Sequence, residues 1–317
     1  MRTSLFAICL SLAALPAAAE GEFNTEDGFA AFEELFGVTE GKRRNHTKGF
    51  CVEGVLTPVD DAVKAYSSSP LFTGTSTVIA RVSHKGGKAN PADDKYGLLG
   101  MAMEITTADD DLHVIAMNTE HFFPVATSEA FIKLLRAKAA GGDAVKAFAA
   151  AHPALKAYKA YHGALDKTLR PYEGTTYNSV NAFYLVNGAG EKTPMRFSFR
   201  PSGAEGIVVE THPDFFLENM QANIAGGGVS WDMVITLANP GDAIADPSVQ
   251  WTGDHTEIVA ARFTATAAMS EADGRCDAIN FDPTVLSDGF EPSEDPMLEV
   301  RSLIYAHGVG KRLSEQD

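Results

Sequence analysis

Asp295–Leu313, DPMLEVRSLIYAHGVGKRL, is the stretch on which the reading of the whole chain turns. Asp295 is a helix N-cap by residue type, and Pro296 suits the first turn, where a missing N–H costs nothing. A helix beginning there sets Arg301 and Tyr305 one turn apart on one face. A guanidinium at hydrogen-bond range favours the ionised form of a phenol, whose free pKa is about 10. A phenolate can ligate ferric iron. By itself an R-x-x-x-Y spacing is an ordinary surface pair, so the chemistry depends on what other segments bring to it.

Three upstream segments matter. Arg43-Arg44-Asn45-His46-Thr47-Lys48-Gly49 places a histidine just before a strand, Gly49–Thr57. Ser76–Ser83, STVIARVS, alternates as a half-buried strand does and ends in Arg81-Val82-Ser83. Leu98–Thr106 and Leu112–Asn118 read as a hairpin around Asp109–Asp111, and the second of them leads into Met117-Asn118-Thr119-Glu120-His121-Phe122-Phe123. Further strands are expected at Tyr177–Asn187, Pro194–Pro201, Trp231–Leu237 and Glu257–Ala265. Helices are expected near the N-terminus, ending at Gly37 and carrying Phe29, Phe32, Leu35 and Phe36, and at Pro58–Ser67, Ser128–Ala140, Asp143–His152, Pro153–Ala164 and Asp214–Ile224. Strands that pair locally, with helices inserted between groups of them, indicate an antiparallel α+β or barrel architecture. There is no internal repeat and no linker long enough to mark a domain boundary.

In this order the segments resemble the haem catalases, over roughly Phe36–Leu313. The resemblance implies an antiparallel β-barrel of about eight strands with inserted and C-terminal helices. In that family an R-x-x-H segment supplies a propionate-binding Arg and the distal base, matched by Arg43 and His46. An R-F-S segment supplies a second propionate Arg and a Ser that orients the His, matched by Arg81 and Ser83. The first Phe of an F-F pair borders the distal pocket, matched by Phe122. The R-x-x-x-Y segment carries the proximal iron ligand and its Arg, matched by Tyr305 and Arg301, and Arg312 takes the place of a third propionate Arg. The chemistry is coherent. Three guanidiniums suit a ligand with two carboxylates, and an anionic axial ligand favours peroxide O–O heterolysis through a ferryl intermediate. His46 would carry the proton between the peroxide oxygens, its tautomer fixed by Ser83.

Two departures from the family narrow the reaction. Catalases place an Asn where this chain has Met117, and a thioether has no hydrogen to donate, so dismutation should suffer more than peroxide heterolysis. The chain is also shorter than a typical catalase, like the small bacterial catalase-related peroxidases. No bound NADPH is expected, and assembly no larger than monomer or dimer.

Composition sets the context. At 317 residues and 45% hydrophobic content the chain can bury a substantial core, and a formal charge of −16 makes nucleic acid and anionic lipid poor partners. Met1–Ala19 has the charge, apolar run and small-residue end of a secretory signal peptide, with cleavage expected after Ala19. No later stretch is apolar for long enough to span a membrane. Cys9 leaves with the leader, so Cys51 and Cys276 form either one disulfide or two buried thiols. A barrel closing through its first and last strands, as catalases do, would bring that pair within bridging range.

The expectation is thus a periplasmic or secreted haem b peroxidase, with one catalase-like domain over residues 20–317. It would reduce hydrogen peroxide or an organic peroxide with an external small-molecule or protein electron donor. The rivals are a true catalase, a haemoprotein that rearranges lipid hydroperoxides, and a haem carrier. His84 and His121, near the same segments, are expected to be surface or loop residues.

Overall fold

The computed structural model describes residues 23–203 and 211–316, so the expected leader lies outside the described residues. Helix α1 (Thr25–Phe36) is capped by Asn24, whose side chain accepts from the Asp27 N–H at 2.9 Å, and it ends at Gly37 with φ of 76°. Four antiparallel strands follow: β1 (Gly49–Pro58), β2 (Ser76–His84), β3 (Leu99–Thr106) and β4 (Leu112–Asn118). Three helices are inserted next, α2 (Ser128–Ala140), α3 (Gly142–Ala151) and α4 (Pro153–Ala164). The chain returns to strands at β5 (Tyr177–Asn178), β6 (Phe183–Val186) and β7 (Lys192–Pro201). Helix α5 (Phe216–Ala225) precedes β8 (Ser230–Leu237), β9 (Glu257–Met269) and the short β10 (Phe290–Pro292), and α6 (Pro296–Ser314) ends the described chain.

Eight of these strands close on themselves, in the order β1-β2-β3-β4-β5-β7-β8-β9, with β9 pairing back onto β1 and every pairing antiparallel. β6 and β10 extend the sheet outward from β7. Closure removes the unpaired edges that a flat sheet would expose. Alternate residues such as Val52, Ala80, Met103, Phe199, Met233 and Phe263 are fully buried in one continuous core. The opposite face of β1 carries Cys51, bonded to Cys276 in the turn after β9, with Cα atoms 5.4 Å apart. That bridge, left open by the sequence, is formed.

Three expected elements differ. Pro58 does not begin a helix. It ends β1, and only a short 3₁₀ turn follows at Asp61–Ala65. The strand expected over Tyr177–Asn187 is broken in two, because Val180 takes a left-handed backbone with φ of 64°. β9 runs to Met269, past the expected Ala265, because the alternation continues through alanines, which signal strand only weakly.

Candidate active site

A cavity of about 740 Å³ lies between the barrel, α1, the inserted helices and α6, and it collects residues from distant parts of the chain. Arg43, His46, Arg81, Ser83, Met117, Arg301, Tyr305 and Arg312 all line it.

His46 sits in the loop before β1 with φ of 59°, a conformation that costs a non-glycine residue and needs its surroundings to hold it. Asn45 does so. Its side-chain oxygen accepts from the His46 N–H at 3.0 Å and from the Gly86 N–H at 2.8 Å. The imidazole Nδ1 lies 2.9 Å from Ser83 Oγ. Below the ring is Gly100, where a Cβ would stand 2.7 Å from His46 Cε1, so only glycine leaves room. Burial, then the charges of Lys85, Arg81, Arg301 and Arg43, push the His46 pKa down from 6.5 to about 3. The ring is a neutral base at ordinary pH.

On α6, Asp295 caps the first turn by accepting from the Met297 N–H at 2.9 Å. Its other oxygen accepts from Asn181 Nδ2 at 2.6 Å, and Asn181 Oδ1 in turn accepts from Arg301 Nη1 at 2.6 Å. Arg301 Nη2 donates to the Ala116 carbonyl at 3.1 Å and to the Tyr305 hydroxyl at 3.2 Å. The cap of the helix and the placement of the guanidinium are therefore one network. The unusual backbone of Val180 turns Asn181, fully buried, into it.

At the other end of the cavity three guanidiniums converge. Arg81 bonds Glu271 at 2.7 Å, and Arg312 bonds Asp277 at 2.8 Å. Among the described residues Arg43 donates only to the carbonyls of Cys276, Asp277 and Ile279, at 3.2–3.3 Å. Burial, and next the charges of Arg81 and Arg312, pull the Arg43 pKa down to about 9. A ligand bringing negative charge here would relieve that strain. The disulfide anchors the same turn that supplies the carbonyls.

Two expectations need correction. Phe122 does not line the cavity. It packs behind the lining, with Leu134, Leu155 and Tyr158, and its neighbour Phe123, which packs against the same cluster, reaches the cavity instead. His84 is buried, not a surface residue: Nε2 lies 2.8 Å from Asp93 Oδ1, and the ring stacks on Phe216. His121 is exposed, as expected. Sequence reasoning missed Asn45, Gly100, Asn181, Glu271 and Asp277. Only Asn45 carried a signal, as an Asn suited to a left-handed turn beside the His.

The sequence model of the catalase family, described simply as catalase, matches residues 38–316. The chain belongs to the catalase family. It is 34% identical over 296 residues to a catalase-related peroxidase of Synechococcus elongatus, covering 89% of this chain and 87% of that one. A catalase-related peroxidase of Mycolicibacterium paratuberculosis is 30% identical over 303 residues, 92% of this chain and 96% of that one. Among solved structures, a bacterial catalase aligns with a TM-score of 0.72 at 19% identity, over 87% of this chain and 59% of that one. A fungal catalase aligns with a TM-score of 0.74 at 17% identity, over 96% and 67%. Those two likenesses show the shared fold. Membership in the family implies a haem group, and the cavity fits one: apolar walls from Phe29, Val300 and Ile304, a phenol on α6, and an arginine cluster whose central member lacks a carboxylate among the described residues.

Proposed function

We propose that the protein is a haem b peroxidase that reduces hydrogen peroxide or an organic peroxide with electrons from an external donor. The observation that carries this reading is the pairing of a neutral, oriented base, His46, with a guanidinium-bonded phenol, Tyr305, in one cavity. Arg43, Arg81 and Arg312 would hold the two propionates, and Tyr305 would ligate the iron. Bound haem would supply the iron at which the peroxide O–O bond is cleaved. With Nδ1–H donated to Ser83 Oγ, His46 Nε2 keeps its lone pair for the cavity. It takes the proton from one peroxide oxygen and returns it to the departing one. Arg301 holds the phenol oxygen in place and is itself held by Asn181. Met117 offers no donor to a second peroxide molecule, which favours an external reductant over dismutation.

The two relatives named as catalase-related peroxidases support this reading over that of a full-length catalase. The leader sequence and the Cys51–Cys276 bridge support an exported protein in an oxidising compartment. No helix among the described residues is long and apolar enough to cross a membrane.

The test is stopped-flow absorbance of the haem-loaded protein mixed with peroxide, in wild type and His46→Ala. A peroxidase slows by roughly two to four orders of magnitude on losing a positioned acid/base, with haem still bound. A haem carrier binds and releases haem equally well in both proteins.

A further inference from the structure

Against a formal charge of −16 for the whole chain, one part of the cavity wall is positive. Lys85 follows β2 and shares its face with Arg81 and Ser83, Lys138 comes from the last turn of α2, and Lys159 comes from α4. Their charges are not equally spoken for. Lys85 is ion-paired with buried Glu120, whose other oxygen lies 3.1 Å from His162 Nε2. Lys138 and Lys159 make no ion pair among the described residues. Both are exposed and yet line the cavity, so they stand at its mouth. Desolvation there lowers the Lys138 pKa, Glu120 acts in the opposite sense, and Lys159 adds to the lowering.

Between the lysines and the barrel the wall is apolar and ringed: Phe123, Phe131, Ile132, Leu135, Leu155 and Tyr158. Phe123 and Phe131 already pack ring to ring, with centroids 4.8 Å apart. A neutral peroxide needs neither the cations nor the rings. An aromatic body would pack edge-on or offset against the rings, and a carboxylate on it would meet the lysines. Positive charge focused at the mouth of an acidic protein also steers anions toward it.

We propose that this mouth binds the reducing substrate and that the substrate is a small aromatic carboxylate of the phenolic-acid class. Its role as reductant rests on the peroxidase reading above. The electron balance is simple. One peroxide O–O bond breaks and takes up two electrons and two protons, giving two waters from hydrogen peroxide or a water and an alcohol from an organic hydroperoxide, while two phenolic acids each lose one electron and one proton as phenoxyl radicals.

The test separates site from role. Isothermal titration calorimetry on the haem-loaded protein compares 3-phenylpropionate, which is not oxidised, with its neutral amide. The acid is expected to bind about tenfold more tightly, roughly 1.4 kcal/mol. That difference should vanish in Lys138→Gln/Lys159→Gln and persist in Lys138→Arg/Lys159→Arg. Equal binding of acid and amide, or a difference that survives the double glutamine variant, overturns the site. For the role, 3-(4-hydroxyphenyl)propionate should show a lower KM than its amide as electron donor. Discrimination found instead between a fatty-acid hydroperoxide and its methyl ester would overturn the assignment to the reductant. A protein that oxidises no donor of any charge overturns the peroxidase reading, and the calorimetry still decides the site.

Discussion

At Met117 a thioether lines the cavity where catalases carry an amide, on β4 opposite Met101 and one residue from Asn118. Asn118 also lines the cavity, one position along the strand, with its side-chain oxygen accepting from the Glu120 N–H at 2.8 Å. Restoring a donor should therefore shift the balance of reactions. Met117→Asn is expected to raise oxygen release from hydrogen peroxide by about tenfold, the worth of one good hydrogen bond, as read with an oxygen electrode. Unchanged oxygen release would remove Met117 from the explanation. At this scale the sequence showed the residues whose types carry chemistry: His46, Ser83, the arginines and Tyr305. It hid Gly100 and Asn181, because making room for a ring and relaying a hydrogen bond leave no mark in residue type. Phe122 and Phe123 show the same limit, since an F-F pair does not say which ring faces inward.

At the scale of elements, α6 does two jobs through one carboxylate. Asp295 caps the helix and, through Asn181, holds Arg301 against Tyr305. Asp295→Ala should lower stability by about 1 kcal/mol from the lost cap alone, measured by chemical denaturation. It should also weaken haem retention, because Asn181 is left without its partner; Asp295→Ser, which keeps a cap but not the reach, should recover stability and not haem retention. The helix itself was legible from Asp295, Pro296 and the apolar spacing. The break between β5 and β6 was not, because Val180 is β-branched and reads as strand, whereas its left-handed backbone is imposed by the buried network around Asn181. The barrel was legible for the opposite reason: local antiparallel pairing leaves its mark in the alternation at the start of β2 and in the acidic turn between β3 and β4.

For the whole molecule, burial of neutral histidines predicts acid sensitivity. His113 Nδ1 accepts from the Ser287 N–H at 3.2 Å, and burial pushes its pKa down from 6.5 to about 3. An unfolded chain takes up a proton near pH 6.5 that the folded protein refuses until about pH 3. Stability present above pH 6.5 is therefore lost as pH falls through that window, at about 1.4 kcal/mol per unit for each such group. His46 acts in the same direction. Glu173 and Asp295, raised by burial, act in the opposite sense. Denaturation midpoints should show His113→Gln losing roughly 2 kcal/mol less than wild type between neutral pH and pH 5. Equal losses would mean that His113 is not held neutral.

The division of peroxide between two fates tests the peroxidase assignment most directly. Haem-loaded protein is given hydrogen peroxide and a phenolic donor, and oxygen release and donor oxidation are measured together. A peroxidase of this geometry oxidises two donor molecules for each peroxide consumed and releases little oxygen. Release of one oxygen for every two peroxides, whether or not donor is present, would contradict it and return the chain to the catalases in function as well as in fold.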